Sequence, residues 1–410
     1  MQIRGKSKLG EIINFINGRA FKPSEWELKG TPIIRIQNLN GSKEFNFFNG
    51  DIESKYIVKD NQLLFSWSGS RGTSFGPHIW SGETGVLNQH IFRVVPKKKI
   101  NEKYLYYELK RLTREIEHNA HGSAGLVHIT KGDLEQFEIY LPEEREQEKI
   151  AKILSTIDLN IEKTAEAIAK YKQVKKGLMD DLLTGKIRIK NGKWVKETEF
   201  KYVEGIGNIP KEWEVYSLDE LTKEKIKDGT HSTPMYLERG VPFLRVTDIQ
   251  SEEINFQNLK FISKKEHEEL TKRTKPELGD ILYSKNGTIG IAKLVEWNWE
   301  FSIFVSLALI KPDKEKINNK FLEKILNSFI AENQIKLRAK QGTVTNLHLE
   351  EIREFLIPCA EIKEQNEISD ILEKQEQLIE KEEQYLKKLQ KLKSGLMDDL
   401  LTGRKRVNID

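Results

Sequence analysis

The string Gly-Leu-Met-Asp-Asp-Leu-Leu-Thr-Gly occupies positions 177–185 and returns unchanged at 395–403, an offset of 218 residues in a chain of 410. Repetition on this scale constrains architecture more than any local propensity, because both copies must fold into equivalent units. At the same offset and without a gap, Glu146-Gln147 matches Glu364-Gln365. Ile150, Ile153 and Leu154 likewise match Ile368, Ile371 and Leu372, and Ile161-Glu162-Lys163 matches Ile379-Glu380-Lys381. The preceding segments correspond more loosely. Gly30-Thr31-Pro32-Ile33-Ile34-Arg35 answers Gly240-Val241-Pro242-Phe243-Leu244-Arg245, and Leu64-Phe65-Ser66-Trp67-Ser68-Gly69 answers Leu282-Tyr283-Ser284-Lys285-Asn286-Gly287. The period is far longer than that of a solenoid, so the plan is body, helix, body, helix.

Between residue 143 and about Leu183 there is no proline, and Gly177 is the only glycine. Ile150, Leu154, Ile157, Ile161 and Ile168 recur at helical steps with charges between them, which predicts a long amphipathic helix with a narrow apolar seam. Pro142 suits its start and Gly185 its stop. The counterpart spans about 361–401, with Leu372, Ile379, Leu386, Leu389, Leu392, Leu396 and Leu400 as its seam. Such a seam is unstable alone in water, so each helix needs a partner, and the other copy is the nearest candidate. Leu178, Met179, Leu182 and Leu183, with Leu396, Met397, Leu400 and Leu401, suit either a coiled-coil core or a docking surface.

The bodies predict mixed α/β structure with short strands at Pro32–Ile36, Gln62–Ser66, His90–Val95, Phe243–Val246, Asp280–Ser284 and Phe304–Ile310. Helices are expected at Glu102–Ala120 and Lys320–Ala339, and the basic, weakly patterned stretch Lys186–Lys211 as a connector.

Charged residues make up 32% of the chain and hydrophobic ones 38%, as solvated helices joined to folded bodies would give. Eighteen Phe, eleven Tyr and seven Trp argue against disorder. A single cysteine, Cys359, excludes a disulfide framework and a cysteine-built zinc site. No apolar run approaches a membrane span, and the first residues lack a secretory pattern, so a cytoplasmic protein with no membrane contact is expected. The net charge of +4 is unevenly spread. Residues 143–181 and 361–399 together carry five more acids than bases, which leaves nine excess positive charges elsewhere, where a phosphate backbone could dock.

Catalytic patterns fail on inspection. Thr184-Gly185-Lys186 resembles the end of a phosphate loop, but Asp180 stands where glycine is needed and the segment closes a helix. His267-Glu268-Glu269-Leu270-Thr271 lacks the second histidine of a zinc-protease helix. No Gly-x-Gly-x-x-Gly follows a strand and no Asn-Pro-Pro-Tyr run occurs, so neither a dinucleotide nor an S-adenosylmethionine site is expected, and no metal site. His118, His121 and His128 lie among polar loop residues and suit a polar ligand better than a metal. What remains is loop chemistry. Ser66, Trp67, Ser68, Ser70 and Arg71 follow one strand; Lys285, Asn286 and Thr288 follow its counterpart. His121 and Ser123 lie in one later loop, and Lys340, Gln341, Thr343 and Thr345 in the other. Hydroxyls and backbone amides suit phosphate, while Arg, Lys, Asn and Gln suit base edges. Pro32/Pro242 and Arg35/Arg245, shared by the bodies, are expected to hold the fold. Differences, Gln37-Asn38 against Thr247-Asp248 and Trp67 against Lys285, are expected to carry sequence choice and hence an asymmetric target.

Two unlike bodies, each followed by a helix ending in Leu-Met-Asp-Asp-Leu-Leu-Thr-Gly, resemble the specificity subunit of a type I restriction–modification system. Ile209-Pro210-Lys211-Glu212-Trp213 with Leu218 and Leu221 is similar to that family's opening of a target-recognition domain. Glu146-Gln147-Glu148-Lys149-Ile150 and Glu364-Gln365-Asn366-Glu367-Ile368 are similar to the starts of its conserved helices. The first body opens differently, near Lys8-Leu9-Gly10-Glu11-Ile12. The resemblance implies an α+β fold in which two pseudo-twofold-related mixed α/β target-recognition domains are separated by an antiparallel coiled coil of two long helices. On this chain it implies domains at 1–142 and 212–358, helices at 143–185 and 359–403, a linker at 186–211 and a tail at 404–410. It further implies a non-catalytic subunit that reads a bipartite site in double-stranded DNA and docks two modification subunits, with restriction subunits joining the complex. S-adenosylmethionine and ATP with magnesium would belong to those partners. A DNA-binding adaptor outside restriction and a coiled-coil protein scaffold are the alternatives.

Overall fold

The computed structural model describes residues 5–70, 72–119, 126–251, 254–338 and 346–408. The chain divides into two compact units. Unit 1 comprises residues 1–166 and 383–410, and unit 2 comprises 167–382. The two long helices, Glu144–Leu183 and Ile362–Leu400, each contribute one half to each unit.

In unit 1 an antiparallel sheet orders Ile13–Asn17, Ile91–Pro96, Leu63–Ser66 and Gly76–Ile79. A second sheet orders Asn46–Phe48, Thr31–Ile34, Gly85–Leu87 and Ile57–Val58, with one parallel pairing, Thr31–Ile34 against Gly85–Leu87. The core beneath the first sheet joins Phe15, Phe65 and Phe92 to Leu105, Leu109, Leu112 and Ile116 of the helix Glu102–Asn119. Leu105, Leu109, Leu112 and Ile116 recur at helical spacing, so one stripe of that helix is apolar.

Unit 2 repeats this plan. Its main sheet orders Lys227–Asp228, Leu307–Ile310, Ile281–Ser284 and Ala292–Leu294, and a smaller sheet orders Lys260–Ile262, Val241–Leu244 and Ser302–Ile303. The single helix expected over Lys320–Ala339 is two, Asn319–Leu326 and Phe329–Arg338. Asn327 leaves the helical path because its amide bonds both backbone groups of Ala292, accepting from the N–H at 2.9 Å and donating to the carbonyl at 2.9 Å. Ser328 then accepts from the Ile330 N–H and restarts the helix. The connector expected over Lys186–Lys211 is instead two β-hairpins, Ile187–Lys190 with Lys193–Lys196 and Phe200–Val203 with Gly207–Pro210. Asn191 and Gly192, at φ 55° and 72°, make the first turn, and Ile189, Ile206 and Ile209 bury into the unit 2 core.

The long helices run antiparallel within each unit. In unit 1, Ile150, Ala151 and Leu154 pack with Leu396, Met397, Leu400 and Leu401 and with Tyr104 and Tyr107 of the body. Asp158 meets Lys393 further along. In unit 2, Leu178, Met179, Leu182 and Leu183 join Ile368, Ile371 and Leu372 in the body core, and Lys175 meets Glu376 at 2.7 Å. Ile157, Ile168, Ile379 and Leu389 are buried, and Ile161 and Leu386 are half-buried. Leu392, expected in the seam, is 52% exposed. Lys393 takes the inward position, lying over the Tyr107 ring and pairing with Asp158.

Most of the repeated nonapeptide serves the local fold. Its leucines are core. Its threonines, Thr184 and Thr402, donate to the carbonyls of Asp180 and Asp398. Its final glycines, Gly185 and Gly403, stop the helices at φ 67° and 70°. A Cβ would lie 2.5 Å from Pro210 at Gly185 and 3.0 Å from the Tyr140 ring at Gly403, so glycine is required twice over.

Candidate nucleic-acid interface

In both units the described residues of the post-strand loop emerge at the end of the main sheet where Leu63–Ser66 or Ile281–Ser284 finishes. In unit 1 the segment after strand Leu63–Ser66 is itself a short strand, Ser68–Ser70, paired with Leu126–His128. In unit 2 Asn286 bridges Asn346, and the Leu347 N–H donates to the Lys285 carbonyl at 2.7 Å. Each post-strand loop therefore lies beside the segment leading out of the later polar loop, although those loops are far apart in sequence. Arg71, His121, Ser123, Lys340, Gln341, Thr343 and Thr345 lie outside the described residues.

The remaining candidates separate by exposure. Gln37, Ser70, Thr247, Asn286 and Thr288 are exposed, and Ser68 is half-buried. Gln250 donates to the Thr288 hydroxyl at 2.9 Å, which joins the 245–250 turn to the 285–290 loop. Asn38 is turned inward. It accepts from the Arg35 N–H at 3.0 Å and donates to the carbonyls of Ser42 and Glu44. Asp248 occupies the equivalent place and holds the Arg245 N–H and guanidinium at 2.8–3.1 Å. That pairing raises the Arg245 pKa. Arg35 lies over the Trp26 ring and donates to Asn46 at 2.8 Å, so both shared arginines brace their own turns. Ser66 is fully buried and donates to the Ser68 carbonyl.

Trp67 and Lys285 occupy one position of the shared fold. The N–H of Trp67 bonds the His90 carbonyl and that of Lys285 the Ser306 carbonyl, while their own carbonyls accept from Ile129 and Leu347. The side chains differ completely. Trp67 Nε1 donates to Asn17 Oδ1 at 2.9 Å, and its ring stacks on Phe92 and packs against His90. Lys285 Nζ lies 3.4 Å from Asp228 Oδ2. Asn17 and Asp228 are themselves equivalent, because each ends the edge strand of its main sheet opposite Phe92 or Ala308. The sequence offset here is 211 rather than 218, which hides the pair from a comparison at constant spacing. The usable signal was Asn17-Gly18 against Asp228-Gly229. A Cβ on Gly18 or Gly229 would lie 2.0 Å from the Asn88 or Ile303 carbonyl.

The buried titratable groups serve structure. Burial pushes the Cys359 thiol up to about 12, and the Glu108 carboxyl up to about 7 despite Arg111 at 3.0 Å. His267, from the protease-like run, is buried, with Nδ1 2.9 Å from the Ser302 hydroxyl. Among the described residues no group of three or more His, Cys, Asp or Glu is placed to hold a metal, and no helix is long and apolar enough to cross a membrane.

Comparisons with known proteins give one answer. A family model described as the type I restriction modification DNA specificity domain matches twice, over residues 5–172 and 210–391. The EcoBI specificity subunit of Escherichia coli is 27% identical over 369 residues, covering 88% of this chain and 76% of that protein. The MjaVIII specificity subunit of Methanocaldococcus jannaschii is 27% identical over 417 residues, covering 98% and 92%. Among solved structures, the S subunit of a type I system from M. genitalium superposes with a TM-score of 0.58 at 18% identity, covering 97% of this chain and 95% of that one. A chain from a study of type I complex assembly and conformational transition gives a TM-score of 0.57 at 15% identity, covering 97% of each chain.

Proposed function

The chain belongs to the type I restriction–modification DNA specificity family, and from that premise we propose that it selects the DNA sequence on which its complex acts. Each unit reads one half of a bipartite, asymmetric site, and the chain performs no bond-making itself. The observation that carries this reading is the double family match, one per body, over bodies that share a sheet but differ at the exposed ends of its loops. Identical readers would select a palindrome; exposed Gln37 and Ser70 against exposed Thr247 and Thr288 give unlike ones.

The paired helices act as the spacer between half-sites, so inserting whole turns into both would lengthen the unread spacer and leave both half-sites unchanged. Two modification subunits bring S-adenosylmethionine and methylate adenine, which requires the base to be extruded into their pocket. Restriction subunits add ATP- and magnesium-dependent steps. The complex works in the cytoplasm, where DNA is accessible.

Docking of those partners is supported by two helical glycines. Gly177 and Gly395 lie inside the long helices with nothing within 4 Å of where a Cβ would stand. Glycine there costs about 1 kcal/mol relative to alanine. Its retention in both copies is what close approach by a partner's backbone requires. Grooves of about 600 Å³ and 640 Å³ adjoin these turns, bounded by Lys393 and Met397 in unit 1 and by Lys175 and Met179 in unit 2.

Long-read methylation mapping of the host with and without this gene tests the proposal. One bipartite, non-palindromic motif is expected to lose methylation on deletion. An unchanged methylome in a host with an active modification subunit would contradict it.

A further inference from the structure

The Asp228 carboxylate gathers three basic side chains. Arg273 Nη2 lies at 2.9 Å, His231 Nε2 at 3.3 Å and Lys285 Nζ at 3.4 Å. Asp228 and Lys285 are buried, whereas the Arg273 and His231 side chains are 56% and 66% exposed. One buried carboxylate neutralises one of the two permanent cations, Lys285 and Arg273, so the surplus positive charge faces outward through Arg273, with the exposed His231 imidazole beside it. Asp228 fixes the direction in which they point. Thr274 donates to the Asp228 carbonyl at 3.0 Å and ties the Arg273 backbone to the same edge strand. A cavity of about 290 Å³ opens beside the cluster, lined by Gly229, Thr230, His231, Arg273 and Ser302. Glu269 also lines it and is matched by Lys272 at 2.5 Å.

Unit 1 differs at the same place. Asn17 and Trp67 are neutral, and the adjacent Arg19 is paired with Glu25 at 2.5 Å and lies over the Phe21 and Phe48 rings. Outward-facing positive charge held on a buried acid, at the sheet end from which the exposed loops emerge, matches a singly charged phosphodiester. We propose that the Asp228–Arg273–His231–Lys285 cluster of unit 2 is a contact for a DNA backbone phosphate, for which the described residues of unit 1 show no counterpart. This rests on the DNA-reading function proposed above and assigns a site to it.

The test is binding of a fluorescent duplex carrying the recognised site by the full chain in its complex, across a salt series. Arg273→Gln is expected to weaken binding to every sequence by one common factor, on the order of tenfold. The slope of log affinity against log salt should become shallower by about 0.9, while Arg273→Lys keeps the wild-type slope. His231→Gln, at an even more exposed side chain, should act in the same direction and serves if Arg273→Gln lowers the melting temperature. Single methylphosphonate replacements should locate one linkage, in one half-site, whose neutralisation weakens the wild type and leaves Arg273→Gln unaffected. Wild-type affinity and slope in both variants, or no linkage with this behaviour, overturns the phosphate site while leaving the DNA-reading function intact. A wild-type complex without sequence-selective binding overturns that function instead.

Discussion

The two units close the same joint with the same arginine–glutamate pair but bury it to different depths. In unit 2, Arg188 meets Glu364 at 2.7 Å, with both side chains buried, and reaches Glu197 at 3.0 Å and Glu212 at 3.1 Å. In unit 1 the equivalent pair, again 218 residues displaced, is Arg406 with Glu146 at 2.6 Å; the glutamate is fully buried and the arginine 63% exposed. Arg188 is held on a hairpin strand, while Arg406 lies outside any helix or strand, just past the second helix. Inside the bodies the contrast is sharper. Tyr104, Glu108 and Arg111 of unit 1 form a polar chain, with Tyr104 donating to Glu108 at 2.8 Å. The equivalent helix of unit 2 places buried Phe321 and Ile325 at the first two positions. Duplication therefore preserved the helix ends and their clasps, where both copies obey one geometry, and released the bodies.

Breaking the unit 2 clasp gives the largest effect. Arg188→Ala leaves the buried Glu364 carboxylate unpaired and is expected to cost unit 2 about 3–5 kcal/mol. Hydrogen exchange should show lost protection at 187–190 and 362–372 with unit 1 retained; unaltered protection would make the pair dispensable. The polar chain comes next, as a pH effect confined to unit 1. Burial raises the Glu108 pKa from 4.5 to about 7, so its contribution is fully present below about pH 4.5 and is lost as pH rises through about 7. The expected loss is of order 2–3 kcal/mol. Glu108→Gln should flatten this dependence in calorimetric scans at pH 5 and pH 8, and a profile unchanged by the substitution would refute it. Arg406→Ala should cost unit 1 only about 1–2 kcal/mol, because solvent already screens the exposed guanidinium. Equal losses from Arg406→Ala and Arg188→Ala would erase the contrast. The smallest effect is a gain. Gly177→Ala and Gly395→Ala should each stabilise the free chain by about 1 kcal/mol while weakening co-purification with modification subunits. Unimpaired assembly would remove the glycines from the docking surface.

What the sequence revealed follows from this division. Both long helices, their need for a partner and the strands around Leu64 and Leu282 were legible, because apolar periodicity and the repeat depend on local spacing alone, whereas the antiparallel orientation came only from the family resemblance. The hairpins of 187–210 were not, since the alternating pattern of Ile187-Arg188-Ile189 is short and lies in a basic stretch. The helix break at Asn327 was equally hidden, because it depends on a side chain bonding a strand 35 residues away. Among the candidate contacts, sequence identified loops rather than orientations. Thr247, Asn286 and Thr288 face outward, whereas Asn38, Asp248, Ser66 and Lys285 are committed to partners within their own unit. Asn17 and Asp228 were missed because the loop lengths between repeat landmarks differ.

The claim that two unlike readers work independently is tested most directly by methylation mapping with the triple substitution Thr247→Ala, Asn286→Ala and Thr288→Ala, all exposed in unit 2. The account predicts that one half of the methylated motif becomes degenerate while the other half and the spacer stay fixed. Degeneracy in both halves, or an unaltered motif, would contradict it.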